Sequence, residues 1–328
     1  VEKRFIKGYV NIRFILFAVV FLISNTVLGF TAHAEAPMVK TQAPGFYRIM
    51  VGDYEVTALS DGTNMMPAVQ LLQGNKDKIK ALLGKNYLDE TVETSINAFL
   101  INTGSKLVLV DTGIGKMGTP AEGKLVDNLR ATGYQPEQVD EILLTHLHND
   151  HVAGLVANSE RVFKNATVYA NKLDVDYWLS DSNMNAAPAE YKSFYQIARD
   201  GITPYINAGK FQTFEGNMSF LPGISGQEAV GHTPGHTMYL VESKGQKLLL
   251  MGDVIHVAAV QFEDPLVTIA YDVDSAKAAA ARKEVLDEVA KSGLLIGGAH
   301  LSFPGFGHVQ ANGHKGYNFL PLNYSSLN

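Results

Sequence analysis

Thr145-His146-Leu147-His148-Asn149-Asp150-His151 follows the apolar run Ile142-Leu143-Leu144 and sets four metal-capable side chains within six positions. Three imidazoles and a carboxylate crowded at a strand end would repel one another if protonated, and would lose hydration without compensation if neutral and unpaired. A cation resolves that conflict. A continued strand would alternate these side chains between its faces. A turn here instead lets His146 and His148 converge on one ion while Asp150 and His151 face another, so the pattern HxHxDH points to two metals.

On the N-terminal side of this loop, the spacing of Leu125, Val126 and Leu129 predicts a helix over 121–132 that stops at Gly133, and 139–144 reads as the strand that delivers the loop. Earlier still, 46–51 and 54–59 read as a hairpin around Gly52-Asp53, and 95–101 with 106–110 as another around Thr103-Gly104-Ser105. After the loop, helices are expected over 171–179 and 189–198, flanking a polar stretch that forms an excursion over the site. Strands over 238–242 and 247–251, a helix over 275–291 and a buried strand over 294–296 follow. These are two similar sheet-then-helix halves with no Pro/Ser-rich linker between them, which predicts one α/β domain over 35–328.

The chain has 328 residues, is 46% hydrophobic and 18% charged, and contains no Cys. Lys3, Arg4, Lys7 and Arg13 precede an apolar stretch over 14–28, and Ala32-His33-Ala34 offers a small-residue cleavage site. Residues 1–34 therefore read as a secretory signal that is removed, leaving no stable membrane anchor, because the unbroken apolar core is shorter than the ~20 residues a spanning helix needs. The expected location is periplasmic or secreted. Without Cys, packing and metal must stabilise the exported protein. The formal charge of −6, with no basic run outside the signal, excludes nucleic acid as a natural partner.

Further candidates stand at strand ends or in Gly-flanked loops: Asp111 in Val110-Asp111-Thr112-Gly113, His232 and His236 in Gly231-His232-Thr233-Pro234-Gly235-His236, Asp253 after Met251-Gly252, and His300 after Gly298-Ala299. A lone carboxylate in such a place can simply cap a turn; the ordered set is specific. With it the chain resembles the metallo-β-lactamase superfamily, whose ordered motifs are Asp, HxHxDH, His, Asp and His. The resemblance implies a four-layer αβ/βα sandwich with a dinuclear site at the sheet edge. His146, His148 and His232 would hold one metal and Asp150, His151 and His300 the other, with Asp253 bridging them and Asp111 and His236 behind the ligands. Asp253, which positions the hydroxide, and Asp150 are the carboxylates expected to serve catalysis. Two divalent ions about 3.5–4 Å apart share and acidify a water while one polarises the scissile group, which is hydrolytic chemistry. Zinc is the first choice of metal, and a thiolate-free N/O ligand set also accepts iron, manganese or cobalt.

Within the superfamily the sequence is similar to methyl parathion hydrolase, an organophosphorus hydrolase, and its lactonase relatives, through 59–63, 102–113, 133–141, 231–237, 258–262 and 300–305. That similarity places Trp178 and Phe194 in the substrate pocket and implies a homodimer; Met66, Tyr271 and His256 are further candidates for the pocket. Gly118 stands where the organophosphate enzyme has another pocket aromatic, Leu71 where it has a basic residue, and His256 where it has an aliphatic one. The expected substrate is a small, apolar, ester-like molecule: a phosphotriester, a lactone or an aryl ester. A β-lactam or thioester hydrolase of the same fold, and a non-catalytic metal- or ligand-binding protein, are the alternatives.

Overall fold

Along Leu107–Val110, alternate side chains part to opposite faces: Leu107 and Leu109 join one apolar cluster, Val108 and Val110 another. Ala98 and Leu100 separate from Phe99 and Ile101 in the same way, as Leu249 does from Leu248 and Leu250. Strands apolar on both faces must be covered on both faces. The three clusters fill the three interfaces of a four-layer sandwich.

The computed structural model describes residues 36–327, so the expected signal segment lies outside the described residues. From Pro44 onward the chain forms one unit. Its first seven-stranded sheet comprises β1 (Phe46–Val51), β2 (Tyr54–Met66), β3 (Val92–Asn102), β4 (Leu107–Val110), β5 (Glu141–Leu143), β6 (Thr167–Asn171) and β7 (Phe211–Phe214), side by side in chain order. The second, also seven-stranded and in chain order, comprises β8 (Met218–Leu221), β9 (Ile224–Glu228), β10 (Thr237–Ser243), β11 (Gln246–Leu250), β12 (Leu295–Gly297), β13 (Phe306–Ala311) and β14 (Tyr317–Pro321). The principal helices, with the single turn that carries part of the ligand loop, are α1 (Lys76–Lys85), α2 (Leu125–Ala131), α3 (Asn149–Val152), α4 (Lys172–Trp178), α5 (Asp181–Ala186), α6 (Lys192–Asn207) and α7 (Ser275–Ser292). None of the described helices is long and apolar enough to cross a membrane.

Both sheets open with antiparallel hairpins and turn parallel where helices cross over, at β4–β5–β6–β7 and at β11–β12. The tip of the β10–β11 hairpin is Lys244-Gly245, whose φ values of 50° and 77° suit the tight two-residue turn that follows strand twist. Val56, Phe99 and Val108 of the first sheet pack on Tyr239, Val241 and Leu250 of the second. Leu125, Leu129, Ala198 and Ile202 cover the outer face of the first sheet, and Val285, Leu286 and Val289 that of the second.

Several elements differ from the sequence-based expectation. The helix expected from 121 starts at Leu125, because Gly123 adopts φ +70° and buried Asp61 accepts the Leu125 N–H at 2.8 Å. The helix expected to end at 198 runs through Pro204 to Asn207, because Tyr195, Ala198, Gly201, Ile202 and Tyr205 continue its buried stripe. Tertiary burial there outweighs the hydrogen bond that Pro204 cannot donate. Helix α1 and strands β6 to β9, β13 and β14 lie outside the elements expected from sequence. Part of the polar stretch between the two expected helices is itself helical, as α5.

Ile142, fully buried between the sheet and its helices, is expected to cost about 2–5 kcal/mol when replaced by Ala. In urea denaturation, exposed Met50→Ala should stay within about 0.5 kcal/mol of the parent chain.

Candidate dinuclear metal centre

Pairing of Val110 with Leu143 and of Leu250 with Gly297 brings the carboxyl ends of β4, β5, β11 and β12 to one edge of the sandwich. Asp111, the 145–151 loop, Asp253 and His300 leave from those ends, while His232 lies on the loop leading into β10, which runs antiparallel to β11. The two halves are tied together here. Thr237 N–H donates to Thr145 O at 2.9 Å, Tyr239 O–H to Leu144 O at 2.7 Å, and Asn97 N–H to Ala299 O at 2.8 Å.

The structure brings together all seven side chains expected as ligands. Donor atoms of His146, His148, His232 and Asp253 lie within 4.8 Å of one another, and so do those of Asp150, His151 and His300. Asp253, only 3% exposed, sits between the two groups. Its Oδ1 is 3.1 Å from His151 Nε2, and its Oδ2 is 3.1 Å from His300 Nε2 and 3.3 Å from His232 Nε2. Nδ1 of His148 lies 3.0 Å from His232 Nε2. The buried Nε2 atoms of His146, His148 and His151, and Oδ1 of Asp253, have no hydrogen-bond partner. Orphaned polar atoms in the interior cost about 1–3 kcal/mol each. The 3.1–3.3 Å spacings to Asp253 suit ligands that share an ion at about 2.0–2.1 Å. The residues present therefore fit two divalent ions.

What stands behind these groups sets their orientation. Asp111 accepts from His151 Nδ1 at 2.9 Å and from both the Thr145 N–H and hydroxyl at 2.8 Å, while His146 Nδ1 lies 3.0 Å from that hydroxyl oxygen. His232 Nδ1 meets Asp272 Oδ1 at 2.8 Å, and His300 Nδ1 meets Ser95 O at 2.9 Å. With Nδ1 engaged as donor, each of these rings turns an Nε2 lone pair inward. Asp111 does this from a left-handed backbone, φ 62°, a conformation sparsely used by residues other than Gly. His236 acts on Asp253 rather than on an ion: its Nε2 accepts the Asp253 N–H at 3.0 Å, and its Nδ1 faces Ala229 O at 3.2 Å. Burial, reinforced by His232, depresses His236 to about 3, so it stays a neutral acceptor. Gly252 is required there, since a Cβ would lie 2.6 Å from His236 Nε2.

Two carboxylates escaped the sequence reading. Asp272 precedes α7 closely enough to pass for a cap, and Asp174 looks like an ordinary first-turn acid of α4. Asp174 is in fact fully buried and accepts from Leu147 N–H at 3.1 Å, Thr233 Oγ1 at 2.9 Å and Gly235 N–H at 2.6 Å. It thereby clamps the loop carrying His146 and His148 to the loop carrying His232. Burial raises its carboxyl to about 6 against those three donors.

A cavity of about 240 Å³ opens over the cluster, lined by Met66, Asp150, Asp253, His256 and His300 among others. A second, of about 370 Å³, is lined by Trp178, Tyr177, Tyr191 and Tyr195, and the two share His148, Phe194 and Tyr271 as walls. The Trp178 and Phe194 rings lie 5.0 and 5.4 Å from that of His148. His256, one of the walls of the smaller cavity, is only 3% exposed and stacks on His300. Gly118 and Leu71 line neither cavity.

Residues 91–300 match the metallo-beta-lactamase superfamily. The chain belongs to this superfamily. It is 27% identical over 208 residues to an N-acyl homoserine lactonase of Bacillus cereus, covering 57% of this chain and 75% of the relative. Among solved structures it is similar to the hydrolase AbOPH of the beta lactamase superfamily, with a TM-score of 0.83, 37% identity, and coverage of 87% of this chain and 100% of the other. It is also similar to AidC, a dizinc quorum-quenching lactonase in complex with a product, N-hexnoyl-L-homoserine, with a TM-score of 0.80, 27% identity, and coverage of 86% and 99%. Like its superfamily relatives, the protein is a metal-dependent hydrolase.

Asp272→Ala should leave the fold intact by circular dichroism and weaken zinc binding about 10–100-fold in competition with a chelator. Asp174→Ala, which strands three buried donors, should lower stability by about 3 kcal/mol or more in denaturant melts.

Proposed function

We propose that the protein is an exported dinuclear zinc lactonase that opens neutral lactones bearing an apolar substituent, of the N-acyl homoserine lactone kind, with aryl esters and phosphotriesters as poorer substrates. One observation carries this reading: the polar cavity over His148, Asp150, Asp253 and His300 continues into an aromatic chamber, and among the described residues neither is lined by Lys or Arg. Without a fixed cation, the site has no side chain to pair with the carboxylate of a β-lactam or of a glutathione thioester. An uncharged ester with an apolar tail suits both compartments.

When bound, the ions supply a nucleophile from water at neutral pH and an electrophile for the scissile oxygen. Asp253 would hold the pair in register through its two oxygens, and Asp150, 17% exposed and 3.4 Å from His300 Nε2, is the carboxylate placed to take up a proton near the cavity. Trp178, Phe194 and Tyr271 would orient the substrate by burying its tail, which leaves the ester group over the metal cluster. The dizinc lactonase neighbour and the lactonase relatives support this choice. The N-terminal basic and apolar pattern supports export, which N-terminal sequencing of the mature protein tests directly.

In turnover assays, the mature protein should hydrolyse N-acyl homoserine lactones faster than methyl parathion or a β-lactam panel, and His148→Ala should abolish the activity. Trp178→Ala should reduce kcat/KM for long acyl chains by about tenfold while sparing short ones, the loss expected from about 1–2 kcal/mol of apolar contact. Preference for β-lactams, or no dependence on chain length, would overturn the assignment.

A further inference from the structure

His256 is the one histidine of the cluster that the seven expected ligands and His236 leave unexplained. Its ring is buried, lies 4.8 Å from that of His232 and stacks on that of His300 at 5.2 Å and 22°. Nε2 stands 3.1 Å from Asp253 Oδ2, yet neither ring nitrogen makes a hydrogen bond. Asp253, His256 and His300 together offer donor atoms within 4.8 Å of one another.

The loop that carries His256 is pinned rather than loose. Fully buried Gln261 accepts the His256 N–H at 2.7 Å and the Val257 N–H at 3.1 Å, and donates to Val267 O at 3.1 Å. Buried Arg282 donates to Val254 O at 2.6 Å and to Pro265 O at 3.0 Å. An imidazole held this firmly, with both nitrogens unsatisfied, is destabilising unless something meets its lone pair. A structural histidine would have found a backbone carbonyl, as His236 does with Nδ1. The 3.1 Å approach to Asp253 Oδ2 repeats the distance between that oxygen and His300 Nε2.

We infer that His256 is an additional protein ligand of the metal centre, binding through Nε2 the ion on the His300 side, so that this centre has six imidazoles rather than five. The inference rests on the dinuclear reading above and deepens it. An extra neutral nitrogen leaves the charge of the site unchanged, strengthens one ion's hold and leaves that ion fewer open positions for substrate.

The test is a count of coordinated rings. Protein carrying nitrogen-15 histidine and loaded with NMR-active cadmium should show six imidazoles with metal–nitrogen coupling, from His146, His148, His151, His232, His256 and His300. The sixth signal should vanish in His256→Leu and His256→Gln. In both variants, one ion should be released to a competing chelator at least about tenfold more readily, with the other unchanged. Because the wild-type count needs no variant, a misfolded substitution does not blunt the test. Five coupled rings, with His256 uncoupled, would overturn the inference and leave the dinuclear centre standing. No coupling to any ring would overturn both.

Discussion

The structure depends on a carboxylate that has no reason to be where it is unless cations accompany it. Asp253 is buried among His146, His151, His232, His256 and His300. Burial alone would raise its pKa, but the surrounding imidazoles, His151 and His300 foremost, hold it well below the usual carboxylate range. Four carboxylates, Asp111, Asp150, Asp253 and Asp272, contact the ring nitrogens of this cluster. Two divalent ions would offset them charge for charge, two times two against four. A site without a fixed side-chain cation, walled by aromatic rings, then favours uncharged substrates.

The sandwich serves that carboxylate directly. Parallel pairing at β4–β5 and at β11–β12 is what gives the edge four converging strand ends, and each delivers one part of the site. The rings are then aimed by groups with no access to substrate: Asp111, Thr145, Asp272 and the Ser95 carbonyl fix which nitrogen faces inward. Asp174 joins the two ligand loops, and His236 with Gly252 sets the turn into Asp253. Removing any of these acts on the metals through geometry.

Much of this was legible in sequence because metal chemistry restricts residue type and spacing so tightly. HxHxDH after Ile142-Leu143-Leu144 pointed to both the strand and the two ions, and Asp111, His232, Asp253 and His300 each followed an apolar strand or a glycine. The aromatic walls Trp178 and Phe194 came through family resemblance rather than pattern. Asp174 and Asp272 were illegible because a first-turn acid and a pre-helix acid look the same whether they face solvent or a buried ring. The end of α6 was misjudged for a related reason: burial of Ile202 and Tyr205 overrides Pro204, and burial is not local information. The depth of His256 depends on Gln261 and Arg282, which reach its loop from other elements.

Metal stoichiometry tests the dinuclear centre most directly. Chelator-stripped protein titrated calorimetrically with zinc should bind two equivalents per chain, with a rise in melting temperature that is complete only at the second equivalent. Saturation at one equivalent or fewer, or a melting temperature indifferent to zinc, would contradict it.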